Sequence, residues 1–178
     1  MSIQPKRRAK NRRSKPPRAS ASRPLPSKGA PAVFLDRDAT VDLALQYVNE
    51  AARDGARLVT FPETFVPGYP FWIWHLPPAH SRKHDAVEAL YRRLVAEAVD
   101  LGSDQLDALR DACRERGVTA VLGILERDAA FSRSTLYNTL VVVGSDGTVR
   151  NRHRKLVPTN PERTIWGRGD GSGLRVVD

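Results

Sequence analysis

Two kinds of apolar spacing alternate along this chain from residue 32 onward, and together they leave few folds open to it. Spacings of three and four residues predict three amphipathic helices, and short runs of β-branched and apolar residues predict strands between and after them. Helices that alternate with strands bury their apolar faces against a sheet. The order helix, strand, helix, helix, strand, strand therefore predicts an α/β layered domain, with helices against one face of the sheet.

Capping and turn residues set the expected limits of these elements. Asp38 is the predicted N-cap of the first helix and Gly55 its end, while Ser103 and Gly117 limit the third helix. Apolar positions mark the three helices at Val41, Ala44, Leu45, Val48, Ala51 and Ala52, at Val87, Leu90, Tyr91, Leu94, Val95 and Ala98, and at Leu106, Leu109, Ala112 and Cys113. Strands are predicted at residues 57–61, from Val118, from Leu136 and after the turn at 145–147, and Leu174, Val176 and Val177 begin a further one.

Basic residues are concentrated at the N-terminus. Ten of the 29 Lys and Arg residues lie within residues 1–28, which contain no acid, so the remainder of the chain is nearly neutral. Residues 1–30 are rich in Arg, Pro, Ser and Ala and cannot bury enough surface to offset the entropy of ordering, so we predict a disordered tail before a domain at 31–178.

Composition leaves several functions open for this tail. It is compatible with a nucleic-acid arm, a nuclear-localisation-like patch or an organelle transit peptide. Its prolines disfavour the helix of a transit peptide, and it lacks aromatic residues that stack on bases. A solvated, functionally neutral extension is the favoured interpretation, and nucleic acid is not an expected partner.

The single cysteine, Cys113, excludes an intramolecular disulfide and a cysteine-based metal cluster. It favours a reducing compartment, and we expect a cytoplasmic protein. No apolar run reaches the roughly 18 residues of a membrane span, and no apolar signal-peptide core follows the basic N-terminus. Cys113 falls on the apolar face of the third helix beside Leu109, which favours a structural role over a nucleophilic one.

Three charged side chains are candidates for chemistry. Glu63, in "FPETFVPGYP", directly follows the first apolar strand, and strand ends in α/β sheets open into crevices where reacting groups gather. Its aromatic neighbours would partly desolvate this carboxylate, which suits proton transfer, although a cap or ion-pair role is an alternative. Lys155, in "HRKLVPT", is either part of an anion-stabilising site or part of a solvated basic face, and Glu162 is available as its carboxylate partner.

Two other patterns have little specificity. Glycines alternate through residues 167–173, but the strand, helix and Lys-Ser/Thr context of a phosphate loop is absent. His80 and His84 have the spacing of a helical metal pair, yet no third ligand is evident, so we predict a surface pair. We expect neither a metal nor a cofactor.

Four stretches together resemble the nitrilase branch of the carbon–nitrogen hydrolase superfamily. They are "APAVFLDRDATVD", "GARLVTFPETFVPGYPFWIW", "TLYNTLVVVGSDG" and "HRKLVPTNPERTIWGRGDGSGL", which occur in that branch's order across residues 31–178. The resemblance implies an αββα sandwich and a Cys–Glu–Lys catalytic set that hydrolyses a small-molecule nitrile to a carboxylic acid and ammonia through a covalent thioimidate. By motif, Glu63 is the general base, Lys155 stabilises the thiolate and the developing anion, and Glu162 helps to position Lys155 and the substrate.

The resemblance also places aromatic residues near the substrate. Tyr69, Trp72 and Trp74 are expected beside the pocket, with core packing or a subunit contact as the alternative.

Two departures from the branch's pattern shape the expected activity. The branch has its nucleophile in a "CWEN"-like elbow after the strand that "LRVVD" begins, and its opening strand stands where this sequence has the basic tail. We therefore expect the N-terminal half of a nitrilase, without the first strand and the C-terminal half of the sandwich, that shows no turnover as an isolated chain. The alternative is a non-catalytic nitrilase-like subunit that joins full-length homologues, and we expect a homo-oligomer or an association with nitrilase-like chains.

Overall fold

The computed structural model describes residues 31–75 and 84–177. The predicted tail at 1–30 and His80 of the predicted surface pair lie outside these residues. The helices are α1 (Arg37–Arg53), α2 (His84–Ala96) and α3 (Asp107–Arg116), the strands are β1 (Leu58–Thr60), β2 (Thr119–Arg127), β3 (Leu136–Val143) and β4 (Val149–Arg154), and short 3₁₀ helices span Phe71–Trp74 and Asn160–Thr164. Within the described ranges, every helix is too short or too polar to cross a membrane.

The four strands form one mixed sheet in the order β1, β2, β3, β4. β1 runs parallel to β2, whereas β2 and β3, and β3 and β4, pair in antiparallel fashion. The predicted turn at 145–147 connects β3 to β4, and the Gly147 N–H donates to the Gly144 carbonyl there. The α/β class expected from the sequence is confirmed.

Two apolar cores hold the helices against the sheet. The larger core combines α1, α3 and the sheet through Val41, Ala44, Val48, Leu109, Ala112, Cys113, Ala120, Leu122, Ile124, Val141 and Val143. The smaller core contains Leu94 and Ala98 from α2 and its C-terminal end, together with Leu125, Leu136 and Trp166. Each large aliphatic side chain that is fully buried contributes roughly 1.5–3 kcal/mol to folding, so these cores fix the sheet that carries the site.

The N-cap of α1 is Asp36, and the prediction of Asp38 is wrong. Asp36 has an extended backbone, with φ −137° and ψ 97°, and its carboxylate accepts a hydrogen bond from the Ala39 N–H at 2.9 Å. Asp38 already lies in the first helical turn, so its side chain is not placed to accept hydrogen bonds from the free N–H groups at the helix start.

The start of α3 also differs from the prediction. The helix begins at Asp107 after Leu106, and the Ser103 hydroxyl donates to the Asp100 carbonyl in the preceding turn instead of capping α3. Its predicted end at Gly117 is confirmed, because Gly117 adopts the left-handed conformation, with φ 65°, that ends many helices.

The apolar run at residues 174–177 forms no strand in the described part of the chain, so that prediction is wrong. Leu174 is 65% exposed and Val176 is 89% exposed, and neither pairs with one of the four strands. A strand outside a sheet leaves its backbone groups without hydrogen-bond partners, so apolar composition alone does not produce one here.

Candidate catalytic site

Glu63 lies in the loop that follows β1 and runs beside β2. The Phe61 N–H donates to the Val121 carbonyl at 2.8 Å, and the Val66 N–H donates to the Gly123 carbonyl at 3.2 Å. The backbone is thus tied to β2 on both sides of Glu63. The loop between these contacts projects the Glu63 side chain outward, where it is 48% exposed.

Gly123 allows this loop to pass close over β2. A Cβ at Gly123 would lie 2.1 Å from the Pro62 carbonyl oxygen and 2.9 Å from the Glu63 Cα, and backbone atoms cannot rotate away as a side chain can. Thr64, which follows Glu63 in this loop, is fully buried and has φ 44°, a strained conformation for a β-branched residue. Strain of this kind concentrates at functional sites.

Lys155 follows β4 and joins both predicted carboxylates. Its Nζ donates to Glu63 Oε1 at 2.8 Å and to Glu162 Oε2 at 2.9 Å. Burial alone would lower the pKa of Lys155, but the hydrogen bonds and charges of Glu63 and Glu162 outweigh burial and raise its pKa above the ordinary value. Lys155 is therefore an ammonium ion at neutral pH.

Glu162 is buried, with 3% of the residue exposed, and both of its oxygens accept hydrogen bonds. The Thr159 N–H donates to Oε2 at 2.6 Å, the Tyr69 hydroxyl donates to Oε1 at 2.8 Å, and Lys155 contacts both oxygens. Burial favours the neutral acid, but these donors outweigh it and lower the pKa of Glu162. Glu162 is thus a fixed anion that holds Lys155.

The predicted aromatic residues occupy different positions around this cluster. The Tyr69 hydroxyl accepts a hydrogen bond from Trp74 Nε1 at 3.1 Å while donating to Glu162, so both residues join the site through polar atoms. Burial, assisted by the Glu162 carboxylate, raises the pKa of Tyr69 and keeps it a neutral phenol. Trp72 packs edge-on against Phe34, with 5.9 Å between the centres of the two rings. A substrate-pocket role for Tyr69 and Trp72 stays a prediction.

Sequence reasoning missed Asn138. This β3 residue is 6% exposed, and its Nδ2 donates to Glu63 Oε1 at 2.6 Å. The available signal was an amide within a mostly apolar strand, because a buried polar side chain requires a partner.

Cys113 does not take part in the cluster. It is fully buried in the larger core, where desolvation raises the pKa of its thiol to about 11. The thiol is therefore protonated at neutral pH and packs as a small apolar side chain. Since Cys113 is the sole cysteine of the sequence, residues 1–178 bring no thiol to Glu63, Lys155 and Glu162.

Two of the alternating glycines, Gly169 and Gly173, pack against β4. The Gly169 N–H donates to the Lys155 carbonyl at 2.9 Å, and a Cβ at Gly169 would lie 2.2 Å from the Arg154 carbonyl oxygen. Further along, the Gly173 carbonyl accepts a hydrogen bond from Asn151 Nδ2 at 3.0 Å. Glycine is required here for close backbone approach, which supports the strand end that carries Lys155.

This arrangement combines one ammonium ion with two carboxylates, of which one is half-exposed and the other is buried. Glu63 is half-exposed and able to accept a proton, Lys155 is able to stabilise a developing anion, and Glu162 holds Lys155 in place. Over residues 31–75 and 84–177, no group of three or more His, Cys, Asp or Glu side chains is arranged to bind a metal ion.

Comparison with known proteins gives consistent results. Residues 21–178 match the carbon-nitrogen hydrolase family. Nitrilase 3 from an unknown prokaryotic organism is 40% identical over 150 residues, which cover 82% of this chain and 42% of that protein. An aliphatic nitrilase of Rhodococcus rhodochrous is 39% identical over 146 residues, covering 82% of this chain and 37% of that protein. The chain thus spans about two fifths of the length of these curated relatives.

A solved structure shares the fold. It is a double mutant of the amidase from Nesterenkonia sp. AN1 in complex with acrylamide, and it aligns with a TM-score of 0.51 at 21% identity. The alignment covers 83% of this chain and 52% of the amidase chain. At this identity the likeness is one of fold alone.

Proposed function

Because this chain belongs to the carbon–nitrogen hydrolase family, we propose that it supplies the general base and the anion-stabilising lysine of a site that hydrolyses nitriles to carboxylic acids and ammonia. The observation that carries this proposal is the Lys155 ammonium held between Glu63 and Glu162. The nitrilases that are about 40% identical support a nitrile as the substrate class.

Each charged group has a task in the proposed reaction. Glu63 accepts the proton of a cysteine thiol, and the resulting thiolate attacks the nitrile carbon to give a thioimidate. Lys155 stabilises the thiolate and the negative charge that develops on the nitrogen. The protonated Glu63 returns this proton to the nitrogen, which completes a neutral thioimidate. Glu63 then takes a proton from water as the water attacks the same carbon, and passes it to the nitrogen. Ammonia leaves with the second proton of that water, and a thioester remains. A second water molecule releases the carboxylic acid and regenerates the thiol.

The thiol of this reaction comes from a polypeptide segment outside residues 1–178. Cys113 cannot provide it, because burial keeps its thiol protonated and away from the surface. We therefore propose that the isolated 178-residue chain is inactive.

Ammonia release tests both parts of this proposal. The 178-residue chain is incubated with aliphatic and aromatic nitriles, alone and as a hybrid that continues into the C-terminal remainder of Nitrilase 3. We expect no ammonia from the chain and steady release from the hybrid. Turnover by the chain alone that Glu63→Gln abolishes would show that the thiol is dispensable. A hybrid that unfolds cooperatively yet releases no ammonia would contradict the assignment of the site.

A non-catalytic subunit is the second candidate function, and an exposed sheet surface favours it. Leu58 is 58% exposed and Leu140 is 39% exposed, and their pairing with Thr119 and Gly123 places both on one face of the sheet. Co-expression with the full-length aliphatic nitrilase tests this function. Co-purification that leaves the specific activity of the nitrilase unchanged supports it, and a chain that elutes by itself counts against it.

A further inference from the structure

We propose that Asn138 is a positioning residue that gives the two oxygens of Glu63 different tasks. The proposal rests on the general-base role proposed for Glu63. It concerns a residue that touches neither the substrate nor the nucleophile and acts only through the orientation of the carboxylate.

Both donors to Glu63 converge on the same oxygen. Asn138 Nδ2 lies 2.6 Å from Glu63 Oε1, and Lys155 Nζ lies 2.8 Å from the same atom. Among the described residues, no donor lies within hydrogen-bond distance of Oε2. An oxygen that already accepts two hydrogen bonds is the poorer proton acceptor, so Oε2 is left to take the proton.

Lys155 alone would not fix this orientation. The ammonium is a compact charge with three rotatable donors on a flexible stem, and it binds either carboxylate oxygen equally well. The Asn138 amide has a defined direction and approaches from the buried sheet. It therefore fixes the plane of the carboxylate, with one oxygen towards the sheet and the other towards the open side of the site.

Asn138 is itself held firmly by the sheet. It pairs with Leu125 on β2, and its carbonyl accepts the Lys155 N–H at 2.8 Å. One residue thus fixes the Glu63 carboxylate through its side chain and the Lys155 backbone through its main chain. Asn138 therefore influences the distance between Glu63 and Lys155 through both of these contacts.

The neighbours of Asn138 are fixed on the opposite face of β3. The Arg154 guanidinium lies 3.7 Å from the centre of the Tyr137 ring and contacts the buried Glu126 carboxylate. The Thr139 hydroxyl donates to Glu126 Oε2 at 2.7 Å. These contacts hold β3 and β4 in register and so fix the backbone from which the Asn138 amide reaches Glu63.

Two apolar substitutions remove the amide donor. Asn138→Leu keeps the branching of the side chain, and Asn138→Val is smaller and suits a strand. Asn151→Leu is the matched control, because Asn151 is 7% exposed on β4 and its amide donates to the Gly173 carbonyl, away from Glu63. Urea unfolding of the three variants separates loss of stability from loss of position.

Crystal structures of the 178-residue variants provide the direct readout. With Asn138→Leu we expect the plane of the Glu63 carboxylate to turn or to occupy more than one orientation, while Asn151→Leu keeps the orientation in which one oxygen contacts both Asn138 and Lys155. If Asn138→Leu does not fold, Asn138→Val serves for the same comparison. A Glu63 carboxylate that stays in one orientation without the Asn138 amide would overturn the proposal.

Kinetics of the hybrid enzyme provide the second readout. We expect Asn138→Leu to lower kcat by about tenfold to a hundredfold, the scale of a small misplacement of a catalytic group, and to leave KM nearly unchanged. A loss of kcat no larger than that of Asn151→Leu would also overturn the proposal. If the hybrid with Asn138 releases no ammonia, the proposed function fails, and the crystal structures alone decide the positioning role.

Discussion

Glu63 and Glu162 both bind Lys155, but they differ in how many of their carboxylate oxygens accept hydrogen bonds. Glu162 is buried, and Thr159, Tyr69 and Lys155 donate to its oxygens. Glu63 is half-exposed and keeps one oxygen without a donor among the described residues. A carboxylate with every acceptor in use holds its partner, whereas one with a free oxygen can take a proton.

The buried state of Glu162 predicts a pH-dependent contribution to stability. Its pKa is lowered in the folded chain, so its contribution is complete above the ordinary glutamate value of 4.5 and is lost as the pH falls through the lower folded value. We expect Glu162→Gln to lower the free energy of unfolding by about 2 kcal/mol at pH 7. The difference from the unaltered chain shrinks below pH 4.5.

Urea unfolding at pH 7 and at pH 3 measures this difference. Glu88→Gln is the control, because Glu88 forms an exposed ion pair with Arg92 and its loss should cost no more than about 0.5 kcal/mol. A Glu162→Gln effect that stays constant between the two pH values would contradict the assigned ionisation.

The buried thiol of Cys113 predicts slow alkylation. With a pKa of about 11 and no exposed surface, it reacts with iodoacetamide only when the chain opens. We expect labelling of the folded chain at pH 8 to be at least about a hundredfold slower than labelling in urea. Rapid labelling of the folded chain, followed by mass spectrometry, would show that the thiol is accessible.

At the level of elements, the site depends on how closely the Glu63 loop passes over β2. We expect Gly123→Ala to lower the free energy of unfolding by about 2–3 kcal/mol, because the added methyl group meets the Pro62 carbonyl. Gly102→Ala is the control, since its methyl group meets only an Asp100 side-chain oxygen at 3.2 Å. Equal stability of the two variants in urea would mean that the loop moves away freely.

Local sequence patterns were sufficient to predict the helices and the four strands of the sheet. Periodic apolar spacing predicted the helices, runs of β-branched and apolar residues predicted β1, β2 and β3, and the turn at 145–147 predicted the largely polar β4. Local patterns were not sufficient for the start of α1, where Asp36 and Asp38 are both good caps and only the backbone conformation distinguishes them. They also failed at 174–177, where strand formation depends on a neighbouring strand and not on local composition.

The site was predictable in the same uneven way. Motif resemblance identified Glu63, Lys155 and Glu162, and the structure brings these three into contact. Asn138 was missed because an amide in a strand indicates only that a partner is needed and does not identify that partner. Its importance appears only when the partner of its amide, 75 residues away, is known.

At the scale of the whole molecule, the apolar face of the sheet that contains Leu58 and Leu140 predicts association. Exposed apolar patches of this kind favour contacts between proteins. We expect concentration-dependent self-association of the 178-residue chain in sedimentation velocity, and weaker association for Leu140→Lys. Phe131→Lys is the control, because Phe131 is 92% exposed but lies outside the sheet. If Phe131→Lys reduced self-association as much as Leu140→Lys does, the association would be non-specific and would not depend on this face of the sheet.

The central claim is that Glu63 is the base of a carbon–nitrogen hydrolase site in this chain. The most direct test is kcat/KM for nitrile hydrolysis by the hybrid with the C-terminal remainder of Nitrilase 3, with Glu63 and with Glu63→Gln. General base catalysis contributes about a hundredfold to ten-thousandfold, so we predict a loss of that size in a hybrid of unchanged stability. A Glu63→Gln hybrid that retains kcat/KM within about threefold of the parent value would contradict the claim.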